Sequence, residues 1–232
     1  MNRSIGILGG LGPLAGAHFY RRLIELTPAQ DDAGHLPVVL ISEPSIPSRR
    51  EHLLAGGTSP VPALQGVAKR LEGEGCSVIV VPSTTTHAFH AEISKAVRVP
   101  VLNLLSAATE SLDGGGSRNP AVISTRATVE TQIYGPYFRE RDMAAIYPPT
   151  DVQDRIDELI DAVKAGVDMM RAESEMRSIV TSQWLDEADG VLFACTETPL
   201  IAPNNFTARP TVSATDVLAR AAICAVGLTP IG

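Results

Sequence analysis

Two polar turns, each following a short apolar segment, carry the residues best suited to chemistry. Residues 80–87 read Val-Val-Pro-Ser-Thr-Thr-Thr-His and residues 192–199 read Leu-Phe-Ala-Cys-Thr-Glu-Thr-Pro, so Ser83 and Cys195 occupy equivalent places. An alcohol and a thiol at the ends of matched strands could face one substrate carbon from opposite sides. One group would then remove a proton from that carbon while the other returns a proton to the opposite face.

The environment expected for Cys195 is polar and exposed, because Thr196 and Glu197 follow it where a strand gives way to a turn or helix. Backbone N–H groups and the positive end of a helix lower the pKa of a thiol from about 8.5. We therefore expect an increased fraction of thiolate at Cys195. Cys76 and Cys224 lie in apolar or helical contexts and are expected to be buried and inert.

The other turn begins with a run of four hydroxyl side chains, Ser83 to Thr86. Such residues often cap a helix N-terminus, but hydroxyl groups and free N–H groups can also hold a substrate carboxylate. A serine hydrolase is a competing interpretation. It is disfavoured because Ser83 lacks the G-x-S-x-G turn and because His87 follows it in the same segment.

A glycine-rich turn follows the first predicted strand. Gly10-Leu11-Gly12-Pro13-Leu14-Ala15 matches G-x-G-x-x-A, which is a weak dinucleotide-binding pattern. Pro13 and the lack of a suitably placed acidic residue disfavour that interpretation. We expect instead a tight turn at Gly10 and Leu11 whose backbone approaches a small anionic ligand.

Two basic residues could bind the distal carboxylate of a dicarboxylic substrate. Arg49 lies in the loop after the second predicted strand, and Lys164 precedes Ala-Gly in a helical pattern. Arginine can bind a carboxylate through two N–H groups. Surface roles are the alternative: Lys164 could pair with Asp161, and Arg50 is expected to be a solvated loop charge.

The composition favours a small-molecule ligand. The 232 residues carry a formal net charge of −7 without a cluster of Lys or Arg, which disfavours nucleic acid and anionic membrane surfaces as partners. No apolar stretch approaches the ~20 residues of a membrane span. Three cysteines without disulfide or metal-site spacing are typical of a reducing compartment. We therefore expect a cytoplasmic protein; a short secretory signal at residues 3–17 is the alternative, disfavoured by its glycines and Pro13.

Short β-branched segments alternate with helical patterns, which is typical of α/β folds with parallel sheets and right-handed crossovers. Strands are predicted at residues 4–8, 38–42, 78–82, 99–102, 121–124, 144–147, 190–194 and 210–213. Helices are predicted at residues 14–26, 60–74, 89–97, 104–112, 128–141, 151–172, 175–186 and 214–226.

Two similar halves are indicated by the spacing of the motifs. Nearly the same number of residues separates Ser83 from Cys195 and the turn near Gly9 from the turn near Thr125. The flexible segment 113–117 lies close to the middle of the chain. These observations are consistent with an ancient duplication.

The predicted fold is therefore α/β, with two pseudosymmetric three-layer domains and parallel four-stranded sheets. The first domain is predicted to contain residues 1–102 plus 213–232, with the last helix returning to it, and the second to contain residues 103–212. Ligands bind at the carboxyl ends of parallel strands. We accordingly expect the active site in the cleft between the domains.

The chain resembles the pyridoxal-phosphate-independent aspartate/glutamate racemase family over essentially its full length. The segments that carry the resemblance are residues 6–15, 46–49, 82–87, 164–166 and 194–200. The resemblance implies two α/β domains in pseudosymmetry, a site between them, an amino-acid substrate, no cofactor, and commonly a homodimer; the lack of Cys/His metal-site spacing predicts no metal.

The resemblance also implies roles for individual residues. Cys195 and Ser83 fall on the two catalytic cysteines of the family. Thr84 stands where the family usually has Asn, while Thr85 and Thr196 match residues that hold the α-carboxylate and amino groups. The remaining predicted substrate-binding residues are Thr125 in the corresponding turn of the second half, Arg49 and Lys164 at the distal carboxylate, and Gly10, Leu11 and Glu197.

The Ser/Cys pair differs chemically from two thiols. An alcohol is a far weaker acid than a thiol, so Ser83 is suited to donate a proton and Cys195 is expected to be the dominant base. By resemblance, Cys195 faces the hydrogen of the L-enantiomer, so deprotonation of an L-amino acid is the expected first step. Two alternatives stay open: a single-thiol lyase of the arylmalonate decarboxylase type, and a catalytically silent dicarboxylate-binding protein.

Overall fold

A computed structural model describes residues 3–202 and 206–232. The chain divides into two compact units. Unit 1 consists of Met1–Leu104 and Thr215–Gly232, and unit 2 consists of Leu105–Ala214. The predicted domain boundaries lie two residues before these positions.

Strands and helices alternate in both units. The strands are β1 (Ile5–Gly9), β2 (Val38–Ser42), β3 (Val78–Val80), β4 (Pro120–Ile123), β5 (Gly190–Phe193) and β6 (Thr211–Ser213). The α-helices are α1 (Pro13–Leu26), α2 (Arg49–Ala55), α3 (Val61–Gly73), α4 (His90–Ser94), α5 (Leu104–Gly114), α6 (Arg126–Glu130), α7 (Gly135–Arg139), α8 (Thr150–Lys164), α9 (Met169–Val180) and α10 (Ala214–Ala225). Short 3₁₀ turns cover Asp32–Gly34, Thr85–Phe89, Gln183–Leu185 and Thr198–Leu200. Over the described ranges, none of these helices is both long and apolar enough to cross a bilayer.

The sheet of unit 1 is parallel and has the order β2-β1-β3. Ile5 at the start of β1 pairs with Val38 on one side and with Val78 on the other. All five residues of β1 are buried, and both α1 and α3 pack against this strand. The continuous apolar run of β1 is therefore what a central parallel strand requires.

The sheet of unit 2 is also parallel, with the order β4-β5-β6. Gly190 pairs with Pro120 on one side of the central strand, and Val191 pairs with Thr211 on the other. The buried faces of α8 and α9 contribute Ile156, Ile160 and Met176 to the same hydrophobic core as this sheet.

The prediction of four strands in each sheet is wrong, because each sheet has three strands over residues 3–202 and 206–232. The segments 99–102 and 144–147 contribute only isolated parallel bridges, Ile79↔Val101 and Ala121↔Ile146. Proline accounts for the short pairing: Pro100 has no N–H to donate, and Pro148 and Pro149 end the other segment.

The two sheets share one topology once the bridges are included. Unit 1 has the order β2, β1, β3, Val101, and unit 2 has the order Ile146, β4, β5, β6. β3 and β5 thus hold the same place in their respective sheets. Each is followed by one of the two chemistry-bearing turns.

Several predicted helices are broken in the structure. The segment 128–141 forms α6 and α7 instead of one helix, and Gln132 between them has a φ of 48°. The segment 151–172 ends α8 at Lys164, because Gly166 adopts a φ of 83° and Asp168 then caps α9 by accepting from the N–H of Met170 at 2.9 Å. The segment 89–97 contains only α4, and the segment 175–186 ends α9 at Val180.

One helix was not predicted. In α2, the Ser48 hydroxyl accepts from the N–H of Glu51 at 3.2 Å, and Gly56 ends the helix with a φ of 66°. Ser48-x-x-Glu51 followed by Gly56 is a recognisable pair of capping signals. The short length of the helix and the two neighbouring prolines obscured it. Its importance is that Arg49 is its first residue.

Candidate active site

Cys195 lies two residues beyond β5 in unit 2 and is 6% exposed. Its S–H donates to Oε2 of Glu197 at 3.0 Å. Burial, and next the negative charge of Glu197, raise the pKa of the Cys195 thiol well above its ordinary value, while Lys164 acts in the opposite direction. The predicted exposed setting and lowered thiol pKa are therefore both wrong, since tertiary burial outweighs the local strand-end geometry.

Glu197 is 3% exposed and has two differently used oxygens. Oε2 accepts from the thiol of Cys195 and from the hydroxyl of Thr196, the latter at 3.4 Å. Oε1 is buried and has no hydrogen-bond partner among the described residues. A buried carboxylate oxygen without a donor is costly, so Oε1 is a point at which a ligand cation could be bound.

The backbone of this turn is fixed by hydrogen bonds to its neighbours. The N–H groups of Ala194 and Cys195 both donate to the carbonyl of Ile123, at 2.9 and 3.3 Å. The Thr198 hydroxyl donates to the carbonyl of Cys195 at 2.7 Å. The thiol is thereby held on a rigid strand end, and Thr196, 2% exposed, is held beside it.

Lys164 lies in the last turn of α8. Its Nζ lies 3.6 Å from Oδ1 of Asp161, which is the pair that the surface alternative predicted. Its positive charge also favours the ionised form of Cys195. Lys164 is partly exposed and belongs to the electrostatic environment of the thiol.

Thr125 caps α6, and its neighbours in sequence, Ser124 and Arg126, belong to a buried polar network that we did not predict. Its hydroxyl lies 3.2 Å from that of Thr128. Gln153 of α8 donates to the carbonyl of Ser124 at 3.0 Å and to Asp157 at 3.2 Å, and Asp157 accepts from the N–H of Arg126 at 3.0 Å. In the sequence, this network is indicated by Gln153 and Asp157, two polar residues spaced by four on the apolar face of α8.

Ser83 lies three residues beyond β3 in unit 1 and is 5% exposed. Its Oγ accepts a hydrogen bond from the hydroxyl of Thr86 at 2.8 Å. Since that bond uses an acceptor position, the proton of the Ser83 hydroxyl is available for donation to another group. Thr84 is buried beside it, and Thr85, half-buried, begins the 3₁₀ turn.

His87 is a buried structural residue. Its Nε2 accepts from the N–H of Leu104 at 3.1 Å, so Nδ1 carries the proton and donates to the carbonyl of Ser83 at 2.9 Å. Burial lowers the pKa of His87 to about 4. The ring binds the carbonyl of Ser83 and makes no bond to its hydroxyl, which argues against the serine hydrolase interpretation.

The glycine turn after β1 is shaped by the chain itself. Gly10 has a φ of 91°, and a Cβ there would lie 2.3 Å from the backbone N of Glu43. Because Gly10 has no side chain, the backbone that follows β2 can pack closely against this turn. From the sequence we expected a small anionic ligand to approach the turn. Arg49 donates to the carbonyl of Leu11 at 2.9 Å and connects this turn to α2.

Two predicted site residues of unit 1, Arg49 and Ser83, belong to or lie just before two elements that contact each other. These elements are α2 and the Thr85–Phe89 turn. His52 of α2 packs on Phe89 of the Thr85–Phe89 turn, with ring centroids 5.6 Å apart. The helix that begins at Arg49 is thus packed against the turn that follows Ser83. In unit 2, Cys195, Thr196 and Glu197 form one cluster within the electrostatic reach of Lys164.

The other cysteines differ from each other. Cys76 is buried as expected, and burial raises the pKa of its thiol. Cys224 on α10 is exposed, so its predicted burial is wrong; it lies on the outer side of a helix whose inner side carries the buried Leu218 and Ile223. Across residues 3–202 and 206–232, no cluster of His, Cys, Asp and Glu is arranged to hold a metal ion.

Comparison with known proteins gives a consistent family. A model of the Asp/Glu/Hydantoin racemase family matches residues 8–222. The broad specificity amino-acid racemase RacX of Bacillus subtilis (strain 168) is 22% identical over 223 residues, covering 94% of this chain and 96% of that protein.

Two solved structures are also informative. Picrophilus torridus aspartate racemase is 30% identical with a TM-score of 0.89, covering 98% of this chain and 96% of that one. An arylmalonate decarboxylase is 16% identical with a TM-score of 0.57, covering 97% of this chain and 92% of that one, and it shares the fold. The family match over most of the sequence, together with the buried Cys-Thr-Glu cluster after β5, shows that this chain is an enzyme of the Asp/Glu/hydantoin racemase family, an isomerase by class.

Proposed function

We propose that the protein racemises an acidic amino acid, aspartate or glutamate, by proton transfer between Cys195, Ser83 and opposite faces of the α-carbon, without a cofactor. The observation that carries the proposal is the matched placement of two buried proton-bearing groups. Ser83 follows β3 and Cys195 follows β5, and these strands hold the same place in two sheets of one topology. The similarity to an aspartate racemase supports the choice of substrate.

The environments of the two groups support unequal roles. The Ser83 hydroxyl accepts a hydrogen bond from Thr86 and keeps its own proton for donation. Among the described residues, no basic side chain is bonded to this hydroxyl. An alkoxide at Ser83 would be far less accessible than a thiolate at Cys195. Cys195 is therefore the base, and Ser83 donates to the resulting carbanion. The resemblance to the racemase family implies that Cys195 faces the hydrogen of the L-enantiomer.

Binding of the substrate uses charge and backbone geometry. Thr85 and Thr196 are proposed to hold the α-carboxylate and amino groups with Thr84 beside them, and Arg49 and Lys164 to hold the distal carboxylate. Arg49 is fixed by its bond to Leu11 at the glycine turn, which would orient the guanidinium before the substrate arrives. The protein is further proposed to act in the cytoplasm as a homodimer.

The test is the comparison of α-hydrogen exchange with inversion in D₂O. L-Aspartate and L-glutamate are expected to exchange their α-hydrogen faster than they invert, because Cys195 can return a solvent-derived deuteron to the same face without Ser83. Proton NMR measures the exchange, and circular dichroism or chiral chromatography measures the inversion. Exchange of both enantiomers no faster than inversion would contradict the unequal roles.

Variants separate the two residues. Ser83→Cys is expected to raise the racemisation rate in both directions equally, because enantiomers have equal free energy and the equilibrium constant is fixed. Cys195→Ser is expected to abolish both exchange and inversion, and Ser83→Ala to abolish inversion while it preserves exchange of the L-form. A Cys195→Ser protein that still racemises would overturn the assignment.

A lyase is the second candidate function. It is favoured because only one member of the proposed catalytic pair, Cys195, is a thiol. A decarboxylase needs only one proton donor to protonate an enediolate on one face, and burial followed by the charge of Glu197 raises the pKa of the Cys195 thiol, which favours its proton-donating form. The related fold of an arylmalonate decarboxylase is consistent with this alternative. Release of CO₂ from a panel of substituted malonates, with no α-hydrogen exchange of amino acids, would select the lyase. Ligand binding without either reaction would identify a silent binding protein.

A further inference from the structure

The Cys195–Glu197 pair presents a difficulty for a catalytic thiol. The carboxylate lies 3.0 Å from Sγ and stabilises the protonated thiol through the S–H bond. Its negative charge also disfavours a thiolate so close to it, because two negative charges at this separation repel strongly inside a protein. Burial and the uncompensated charge of Glu197 thus both favour the protonated thiol, which is the form of Cys195 that cannot act as a base.

The unused oxygen of the same carboxylate indicates how the difficulty is resolved. Glu197 is 97% buried, yet its Oε1 has no hydrogen-bond partner among the described residues. The second charged group that acts on Cys195 is Lys164, and this lysine is paired with Asp161 at 3.6 Å. The described part of unit 2 therefore leaves a buried carboxylate oxygen that matches a small cation with several N–H donors.

We propose that Glu197 binds the α-ammonium group of the substrate through Oε1, and that this ion pair frees Cys195 to act as the base. The proposal rests on the proposed racemase function and adds to it the residue that selects amino acids. An ammonium ion has three N–H donors and fits an acceptor that the protein leaves unsatisfied. A 2-hydroxy acid or a malonate carries no such charge and leaves Glu197 uncompensated.

The ion pair changes the acidity of the thiol through charge alone. Once the ammonium group neutralises the carboxylate, the repulsion that opposes the thiolate falls, and the positive charge of Lys164 then has only the effect of burial to offset. The S–H proton leaves to solvent, so binding of the amino acid is accompanied by proton release. By thermodynamic reciprocity, ionisation of Cys195 strengthens binding of the amine by the same factor.

The direct test is a titration of the Cys195 thiolate by ultraviolet absorbance, with the Cys195→Ala protein as the spectroscopic blank. L-Aspartate is compared with succinate, and L-glutamate with glutarate, because each pair differs only in the amino group. In the wild-type protein the amino acids are expected to lower the thiol pKa by roughly one unit or more, and the diacids to shift it much less. Equal shifts within both pairs would overturn the proposal without any substitution of Glu197.

Glu197→Gln provides the second measurement, with Glu197→Asp as its charge-preserving control. The Gln variant is expected to lower the thiol pKa of the free protein, to abolish the further shift on binding of an amino acid, and to reduce the preference for aspartate over succinate at least about tenfold. The Asp variant should recover part of the preference. Retention of the full preference in Glu197→Gln would overturn the proposal.

Failure of the proposed role of Glu197 can be distinguished from failure of the racemase proposal. A wild-type protein that prefers aspartate over succinate through Glu197 but exchanges no α-hydrogen contradicts the racemase proposal and supports the role of Glu197. A protein that racemises amino acids with the same preference in wild type and Glu197→Gln supports the racemase and contradicts the role of Glu197.

Discussion

Cys195 and Ser83 differ in their surroundings as much as in their reactive atom. Cys195 donates to a carboxylate and lies near a lysine, whereas Ser83 accepts from Thr86 and has its carbonyl bound by a neutral imidazole. The acidity of the thiol therefore depends on burial and on two nearby charges, whereas the alcohol and its backbone are held by neutral hydrogen bonds. Only the thiol is placed to respond when a charged ligand arrives.

The neutral His87 predicts a particular dependence of stability on pH. The folded protein keeps the pKa of His87 at about 4, while the unfolded chain titrates near the ordinary value of 6.5. The unfolded chain thus binds the extra proton first, and stability is lost as the pH falls from about 6.5 towards 4. Between pH 7 and pH 5 this group alone costs about 2 kcal/mol in the free energy of unfolding.

His87→Gln isolates that contribution. Urea denaturation at pH 7 and pH 5 is expected to show a smaller loss in the variant, because glutamine has no proton to gain. Burial also lowers the pKa of His18, which contributes with the same sign in both proteins and cancels in the comparison. Equal losses in wild type and His87→Gln would show that His87 is not held neutral.

At the scale of elements, the short α2 connects backbone capping to the proposed binding site. Ser48 accepts from the N–H of Glu51 at 3.2 Å, and Arg49 follows it immediately. A seven-residue helix has little stability of its own, so its cap determines where its first turn lies. The position of the Arg49 guanidinium therefore depends on the Ser48 hydroxyl.

Ser48→Ala is expected to lower the free energy of unfolding by about 1 kcal/mol, the usual value for loss of an N-cap. If Arg49 binds the distal carboxylate as proposed, KM should rise more than kcat falls, because the chemical groups are untouched. Urea denaturation and steady-state kinetics measure both effects. Ser48→Asp keeps an acceptor at the cap and should restore both; failure to restore KM would show that the hydroxyl acts otherwise.

Particular elements show where sequence patterns sufficed and where they did not. The strand β1 and the helices α1 and α3 were predicted to within one residue at each end, because their apolar patterns are decided locally. The break between α8 and α9 depends on the left-handed Gly166, and the reduced strands at 99–102 and 144–147 depend on nearby prolines. The sequence predicted a lowered thiol pKa at Cys195, whereas the pKa is raised. This could not be predicted, because the burial of the thiol and its contact with Glu197 arise only in the folded unit.

At the scale of the whole molecule, the last helix returns to unit 1 and is attached by an ion pair. Arg22 of α1 donates two hydrogen bonds to Asp216 of α10, at 2.7 and 3.0 Å. The C-terminal segment adds a backbone bond from the N–H of Ile231 to the carbonyl of Leu26 at 2.9 Å. The attachment joins residues that are distant in sequence but belong to one compact unit.

Asp216→Asn is expected to lower the free energy of unfolding by about 1 kcal/mol at low salt, and by less at high salt, because both side chains are partly exposed. Glu173→Gln is the matched control, since its pair with Arg177 lies within one helix at 3.6 Å and should contribute about 0.3 kcal/mol. Thermal or urea denaturation at two ionic strengths measures both. Equal effects of the two substitutions would mean that the α1–α10 pair is an ordinary surface contact.

The interrupted chain path of unit 1 has a consequence for synthesis on the ribosome. Unit 2 is continuous in sequence, so all of its residues are available before translation ends. Unit 1 has to wait for α10, whose Leu218 and Ile223 are completely buried in the finished protein. Unit 1 is therefore begun before unit 2 and completed after it, and the nascent polypeptide keeps part of the apolar surface of unit 1 uncovered until α10 leaves the exit tunnel.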